Sequence, residues 1–156
     1  MHLYRFLVIF FLMLPTPSAA LTKQEAQTCV NHGIERFFSG EPIDVMIDIP
    51  YMIEREKLTA SQEHVAALLN QRAMANLGWY RNITATVVGK PQRKSDGFSL
   101  ISGYVRGDKK DDDTGRWQTF NYNYIIWARL EGGQCRIGRL AVEEWFRLGS
   151  WVKQNV

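Results

Sequence analysis

The chain has 156 residues, with 19 Lys and Arg against 16 Asp and Glu, a formal charge of +3 at neutral pH. That length suits one domain with a single core. So small a charge does not argue for nucleic acid or an acidic membrane as an obligatory partner.

Met1 to Ala20 reads as a secretory signal peptide. His2 and Arg5 precede the apolar run Phe6 to Leu14, Pro15 and Pro17 end that run, and Ser18-Ala19-Ala20 supplies small residues for cleavage before Leu21. Loss of Arg5 lowers the formal charge from +3 to +2. Nine apolar residues fall well short of the ~20 that cross a bilayer. The mature domain, residues 21–156, is therefore expected in the periplasm or outside the cell.

Thr22, with Glu25 three residues on, is a capping-box signature. It opens a helix that presents Ala26, Cys29, Val30, Gly33, Ile34 and Phe37 on one face and ends near Ser39-Gly40. Glu41 to Pro50 alternates Ile43, Val45, Ile47 and Ile49 with Asp44, Met46 and Asp48, which predicts a short half-buried strand stopped by Pro50. Tyr51 to Leu58 is ambiguous. Thr59 or Ser61 caps a second helix with the stripe Val65, Leu68, Leu69, Ala73 and Leu77, closed by Gly78.

The second half reads as a meander of long antiparallel strands. The first spans Trp79 to Gly89, and a polar turn from Gly89 to Gly97 leads to a second over Phe98 to Arg106. A charged loop, Gly107 to Gly115, precedes the longest strand, Trp117 to Leu130. One face of that strand carries Phe120, Tyr122, Tyr124, Ile126 and Ala128, and the other carries Asn121, Asn123, Ile125 and Trp127. Gly132-Gly133 marks a hairpin, because consecutive glycines accept positive φ. In the last strand, about Gln134 to Glu144, the inward set changes parity between Cys135/Ile137 and Leu140/Val142, which predicts a bulge near Gly138. Cys29 and Cys135 are the two cysteines, and an oxidising compartment pairs them across a loop of roughly 100 residues. The chain-entropy model gives such a bridge about 4–5 kcal/mol.

These elements make an α+β plan, with N-terminal helices packed on a curved antiparallel sheet of about four to five strands. The order of elements resembles the nuclear transport factor two-like superfamily, also called cystatin-like or cone-shaped, over nearly all of Leu21 to Glu144. A second resemblance lies in Gln134 to Glu144 and the following Trp145-Phe146-Arg147-Leu148-Gly149-Ser150-Trp151-Val152-Lys153-Gln154. Val142-Glu143 and Val152-Lys153-Gln154 are similar to the closing strand and tail of the periplasmic phospholipid-shuttling toluene-tolerance family. Cys135, Arg139 and Glu144 depart from that pattern. The resemblance implies an acyl-binding pocket between sheet and helices and partner proteins in a bacterial envelope.

Chemistry-bearing motifs are sparse. Asp44 and Asp48 read as solvated carboxylates, and Tyr104, Tyr122 and Tyr124 as packed rings, although a ketosteroid-isomerase-like site would draw its base and its hydroxyl from these two groups. His32 and His64 lack metal-ligand spacing, and Asp108-Lys109-Lys110-Asp111-Asp112-Asp113 fails the calcium-loop pattern, so no cofactor is expected. The leading expectation is a non-enzymatic binding protein whose cavity is walled by Ile34, Phe37, Leu68, Leu69, Tyr122, Tyr124, Ile126 and Trp145, with a lipid or other apolar cargo. Trp145, Phe146, Leu148, Trp151 and Val152 either fold back as a lid or dock an envelope partner. In the alternative the interior is filled and the protein is an assembly subunit of a secretion or transport complex.

Overall fold

A computed structural model of the chain describes residues 19–156. The segment read as a signal peptide lies outside the described residues apart from Ala19 and Ala20. Helices α1 (Lys23–Val30) and α2 (Arg36–Ser39) are joined by a π-helical turn, Asn31–Glu35, so that they form one rod. Thr22 and Glu25 make both bonds of the capping box, and Gly40 ends the rod at φ 79°. Ala26, Cys29, Val30, Gly33, Ile34, Phe37 and Phe38 are all buried along it.

Glu41 to Pro50 departs from the expected strand. It forms a 3₁₀ turn, Asp44–Met46, and then enters helix α3, Ile49–Glu56. The reason is a partner distant in sequence: Asn70 Oδ1 accepts the amides of Ile43 and Asp44 at 2.9 and 3.0 Å, which takes the donors a strand would have used. Ile43 and Ile47 point inward, whereas Val45 is 64% exposed. A single parallel bridge, Ile47 to Ile137, is what remains of strand character. Asp48 caps α3 by accepting from the Tyr51 amide, and Pro50 lies in the first turn, where its missing N–H costs nothing.

Helix α4, Gln62–Met74, is capped by Ser61 and buries Val65, Leu68, Leu69 and Ala73. Leu77, expected on that stripe, lies beyond the helix and faces solvent. The meander follows as β1 (Tyr80–Arg93), β2 (Ser99–Lys110), β3 (Trp117–Glu131), β4 (Gln134–Val142) and β5 (Phe146–Arg147), antiparallel in the order β1-β2-β3-β4-β5. β1 outlasts its expected end by passing through Gly89 at φ 76° with a register shift, and β2 takes in Gly107 to Lys110 from the expected loop. Gly132 and Gly133 both have positive φ at the β3–β4 hairpin. Helix α5, Leu148–Asn155, closes the chain.

The helices cover one face of the sheet. Phe120, Tyr124, Ile126, Ala128, Ile137, Leu140 and Val142 meet Val30, Ile34, Phe37, Phe38, Leu69, Leu148 and Val152 in one core cluster. Cys29 and Cys135 are disulfide-bonded, with Cα atoms 5.4 Å apart, and so fasten α1 to the start of β4. A second tie joins Asp48, only 8% exposed, to Arg129 of β3. Asp48 is thus an ion-paired capping residue and not the solvated carboxylate expected, because the α3 N-terminus and an arginine both turn towards it.

The outer edge of β1 is covered at Ala85 and Val87 by side chains of the first helical rod. Gln27 Nε2 donates to Ala85 O at 2.9 Å, Val87 N donates to Gln27 Oε1 at 3.1 Å, and Ala85 N donates to Glu35 Oε1 at 3.2 Å. One primary amide and one carboxylate thereby take the place of a neighbouring strand.

Candidate functional site

The residues expected to wall a cavity are instead largely packed on one another. Ile34, Phe37, Leu68, Leu69, Tyr124 and Ile126 are buried members of the core cluster. Phe37 stacks on Phe146 with centroids 5.4 Å apart, and Phe38 stacks on Phe120 at 5.7 Å. The Tyr124 hydroxyl donates to Thr86 O at 2.8 Å, and burial pushes its pKa up. Its proton therefore stays on the phenol and occupied by a main-chain acceptor. Tyr122 and Trp145 are brought together at the surface, 5.9 Å apart and nearly perpendicular.

The tail splits between the two roles considered for it. Phe146, Leu148 and Val152 are buried and Trp151 is partly so, whereas Trp145 is 62% exposed. The turn that presents Trp145 is strained. Glu143 holds φ 52°, a left-handed conformation uncommon for this residue type, and is clamped by its amide to Asn123 O and by its carboxylate to the Asn123 amide, each at 2.7 Å.

A cleft of about 640 Å³ opens where the outer face of the sheet meets the β4 edge and the ends of α3 and α5. Sheet register explains its floor. Leu100 opposes Trp127, Trp127 opposes Arg139, Ile125 opposes Ala141, and Ala141 opposes Arg147, so all six share the face the helices leave bare. On that face Val88 is 53% and Ile125 46% exposed.

The bulge at Gly138 places the cleft's cation. Ala128 pairs with Ile137 but Trp127 pairs with Arg139, so Gly138 is the extra residue. Without it Arg139 would share the inward parity of Ile137. With it, Leu140 and Val142 turn into the core and Arg139 turns out, its guanidinium carbon 3.7 Å above the Trp127 ring. Glycine is required there because a Cβ would lie 2.8 Å from Phe98 Cζ and 2.9 Å from Tyr51 Cε1. The sequence pattern foretold the bulge, but neither the stack it creates nor the cleft was anticipated.

Elsewhere the acidic hairpin tip is self-satisfied. The Asp111 carboxylate accepts from the amides of Asp113 and Thr114 and from the Thr114 hydroxyl, and the Thr114 bonds hold its pKa below the usual carboxylate range. Among the described residues no group of three or more His, Cys, Asp or Glu side chains is arranged to hold a metal ion, and no helix is long and apolar enough to cross a membrane. Compared with family models, curated proteins and solved structures, the chain matches none.

Proposed function

We propose that the mature chain is an exported, non-enzymatic binding protein of the bacterial periplasm that holds its ligand in the outer-face cleft. The observation that carries this reading is the contrast between the two faces of the sheet. The covered face is packed with its own side chains, while the bare face has an apolar floor of Leu100, Ile125 and Trp127 with three arginines and three glutamates around it. A concave, largely apolar surface with a few charged groups is the usual composition of a ligand site. The disulfide supports export, because such bonds persist in oxidising compartments. The likeness in element order to the cone-shaped superfamily belongs to the same proposal, with the ligand moved from the inside of the cone to its outer wall.

The test is recovery of protein from its native envelope fraction, followed by native mass spectrometry and solvent extraction. A co-purifying small molecule that disappears in Trp127→Ala, with folding intact, supports the reading. Protein recovered bare, together with cytosolic fractionation, overturns it.

A second reading has its own observation. Trp145 stands exposed on a strained turn that two bonds to Asn123 hold in place, which suits an anchor for an envelope assembly. A photo-crosslinking residue at position 145 in intact cells should trap one partner band. Equal trapping from Val45, an exposed apolar position on another surface, would argue against it.

A further inference from the structure

The outer-face cleft contains a buried donor that none of the described residues satisfies. Arg139 Nε, like Arg129 Nε, is shielded from solvent without a hydrogen-bond partner among the described residues, but Arg129 is held through Nη2 by Asp48, whereas no described hydrogen bond or ion pair reaches the Arg139 side chain. Buried polar atoms without partners are few in native structures, and each calls for an explanation such as a bound group. Among the described ion pairs none involves Arg139 or Arg147.

Register brings these two arginines together. Arg147 is opposite Ala141, and Arg139 precedes Ala141 by two residues on the same strand face, so they are diagonal neighbours roughly 7–8 Å apart. Of the cleft's three acids, Glu143 is occupied by accepting from the Asn123 amide, Glu56 makes only a loose 3.9 Å contact with Arg55 Nε, and Glu144 is exposed at the margin. Stacking on Trp127 orients the Arg139 fork before any ligand arrives, and a planar guanidinium binds carboxylate or phosphate oxygens in pairs. Beside the arginines the floor is apolar, formed by Trp127, Ile125 and Leu100, with Arg55 and Glu56 on the α3 side of the cleft. A volume of about 640 Å³ is sufficient for one small-molecule ligand.

We propose that this cleft binds a single-chain amphiphile with an anionic oxygen head, carboxylate or phosphate. The head is held between Arg139 and Arg147, and the tail lies across Trp127, Ile125 and Leu100. The proposal rests on the reading of the cleft as the binding site and adds the chemistry of its ligand.

The experiment titrates delipidated, disulfide-bonded mature protein with palmitate, hexadecyl phosphate, hexadecanol and inorganic phosphate, each below its aggregation threshold. Binding is followed by calorimetry and by tryptophan fluorescence, with Trp127→Phe to assign the signal. Palmitate and hexadecyl phosphate should bind, the tighter of the two naming the head. Hexadecanol should bind at least tenfold more weakly, and inorganic phosphate alone not measurably. Arg139→Gln and Arg147→Gln should each weaken the anionic amphiphiles severalfold while leaving hexadecanol unchanged. Arg147 is exposed, so its variant keeps the test valid should Arg139→Gln fold poorly. Equal binding of hexadecanol and palmitate overturns the anionic head and leaves the cleft reading standing. Inorganic phosphate binding as tightly as hexadecyl phosphate overturns the tail. Binding of none of the four overturns the proposal; whether the cleft reading falls too is decided by the recovered native protein, which carries some other molecule if that reading holds.

Discussion

Gly138→Ala is the most exposed consequence of the bulge. The new methyl would sit 2.8 Å from Phe98 Cζ and 2.9 Å from both Phe98 Cε1 and Tyr51 Cε1, against an ordinary carbon contact of ~3.5–4.0 Å. Phe98 is fully buried and Tyr51 packs against it at 4.7 Å between centroids, so both rings cannot withdraw together. Overpacking of this kind costs about 1–3 kcal/mol. With a urea m-value of about 2 kcal/mol/M for a domain of this size, the unfolding midpoint should fall by roughly 0.5–1.5 M. Gly149→Ala is the matched control. Its Cβ would approach Glu56 Oε1 at 2.7 Å, but that is the end of a flexible side chain, and alanine is preferred over glycine in a helix by about 1 kcal/mol. Gly149→Ala should therefore be neutral or slightly stabilising. Should the two variants unfold at the same urea concentration, Gly138 is not sterically required.

Reduction of the disulfide, or Cys29→Ser with Cys135→Ser, should cost about 4–5 kcal/mol less any residual structure in the denatured chain, read as a fall in thermal midpoint of at least 10 °C by circular dichroism. Tyr124→Phe removes the hydroxyl's bond to Thr86 O and should cost about 1 kcal/mol at neutral pH by urea unfolding. The Tyr124 phenol is raised by burial, so the folded state keeps a proton the unfolded state releases; the resulting stability is complete below pH ~10 and declines as pH rises further. Wild type should thus lose stability above pH ~10 more steeply than Tyr124→Phe, and parallel pH profiles would refute the assignment. Asp48→Asn keeps a capping oxygen but removes the charge facing Arg129, and because Arg129 is partly exposed the expected loss is about 1–2 kcal/mol. Asp48→Ala should lose roughly another 1 kcal/mol through the cap, again by urea unfolding.

Local chemistry was readable wherever a residue and its partner lie within a few positions. Thr22 with Glu25, Ser61, and Gly132-Gly133 announce boundaries that the structure keeps. The parity change that locates the Gly138 bulge was also visible, since period-two alternation is a local property. Glu41 to Pro50 reads as a strand because its isoleucines alternate, while the deciding bonds come from Asn70, some 26 residues away. The packed core was legible as faces but not as filled space. Periodicity says that Phe37 and Tyr124 point inward, and only three-dimensional packing says whether rings from two layers interlock or leave a hollow. Arg139 over Trp127 needed both strand register and the bulge, so no single window of sequence contained it.

The amide of Gln27 standing in for a missing strand has a consequence for how this chain survives crowding. A long ribbon rim with free donors and acceptors templates end-to-end growth of sheets between molecules. Here that rim is guarded by α1, whose other anchor is the Cys29–Cys135 bond. Oxidation of one thiol pair, two residues along α1 from Gln27, thus also keeps the guard in position, so loss of the bridge should appear first as fibrous self-association and only later as unfolding.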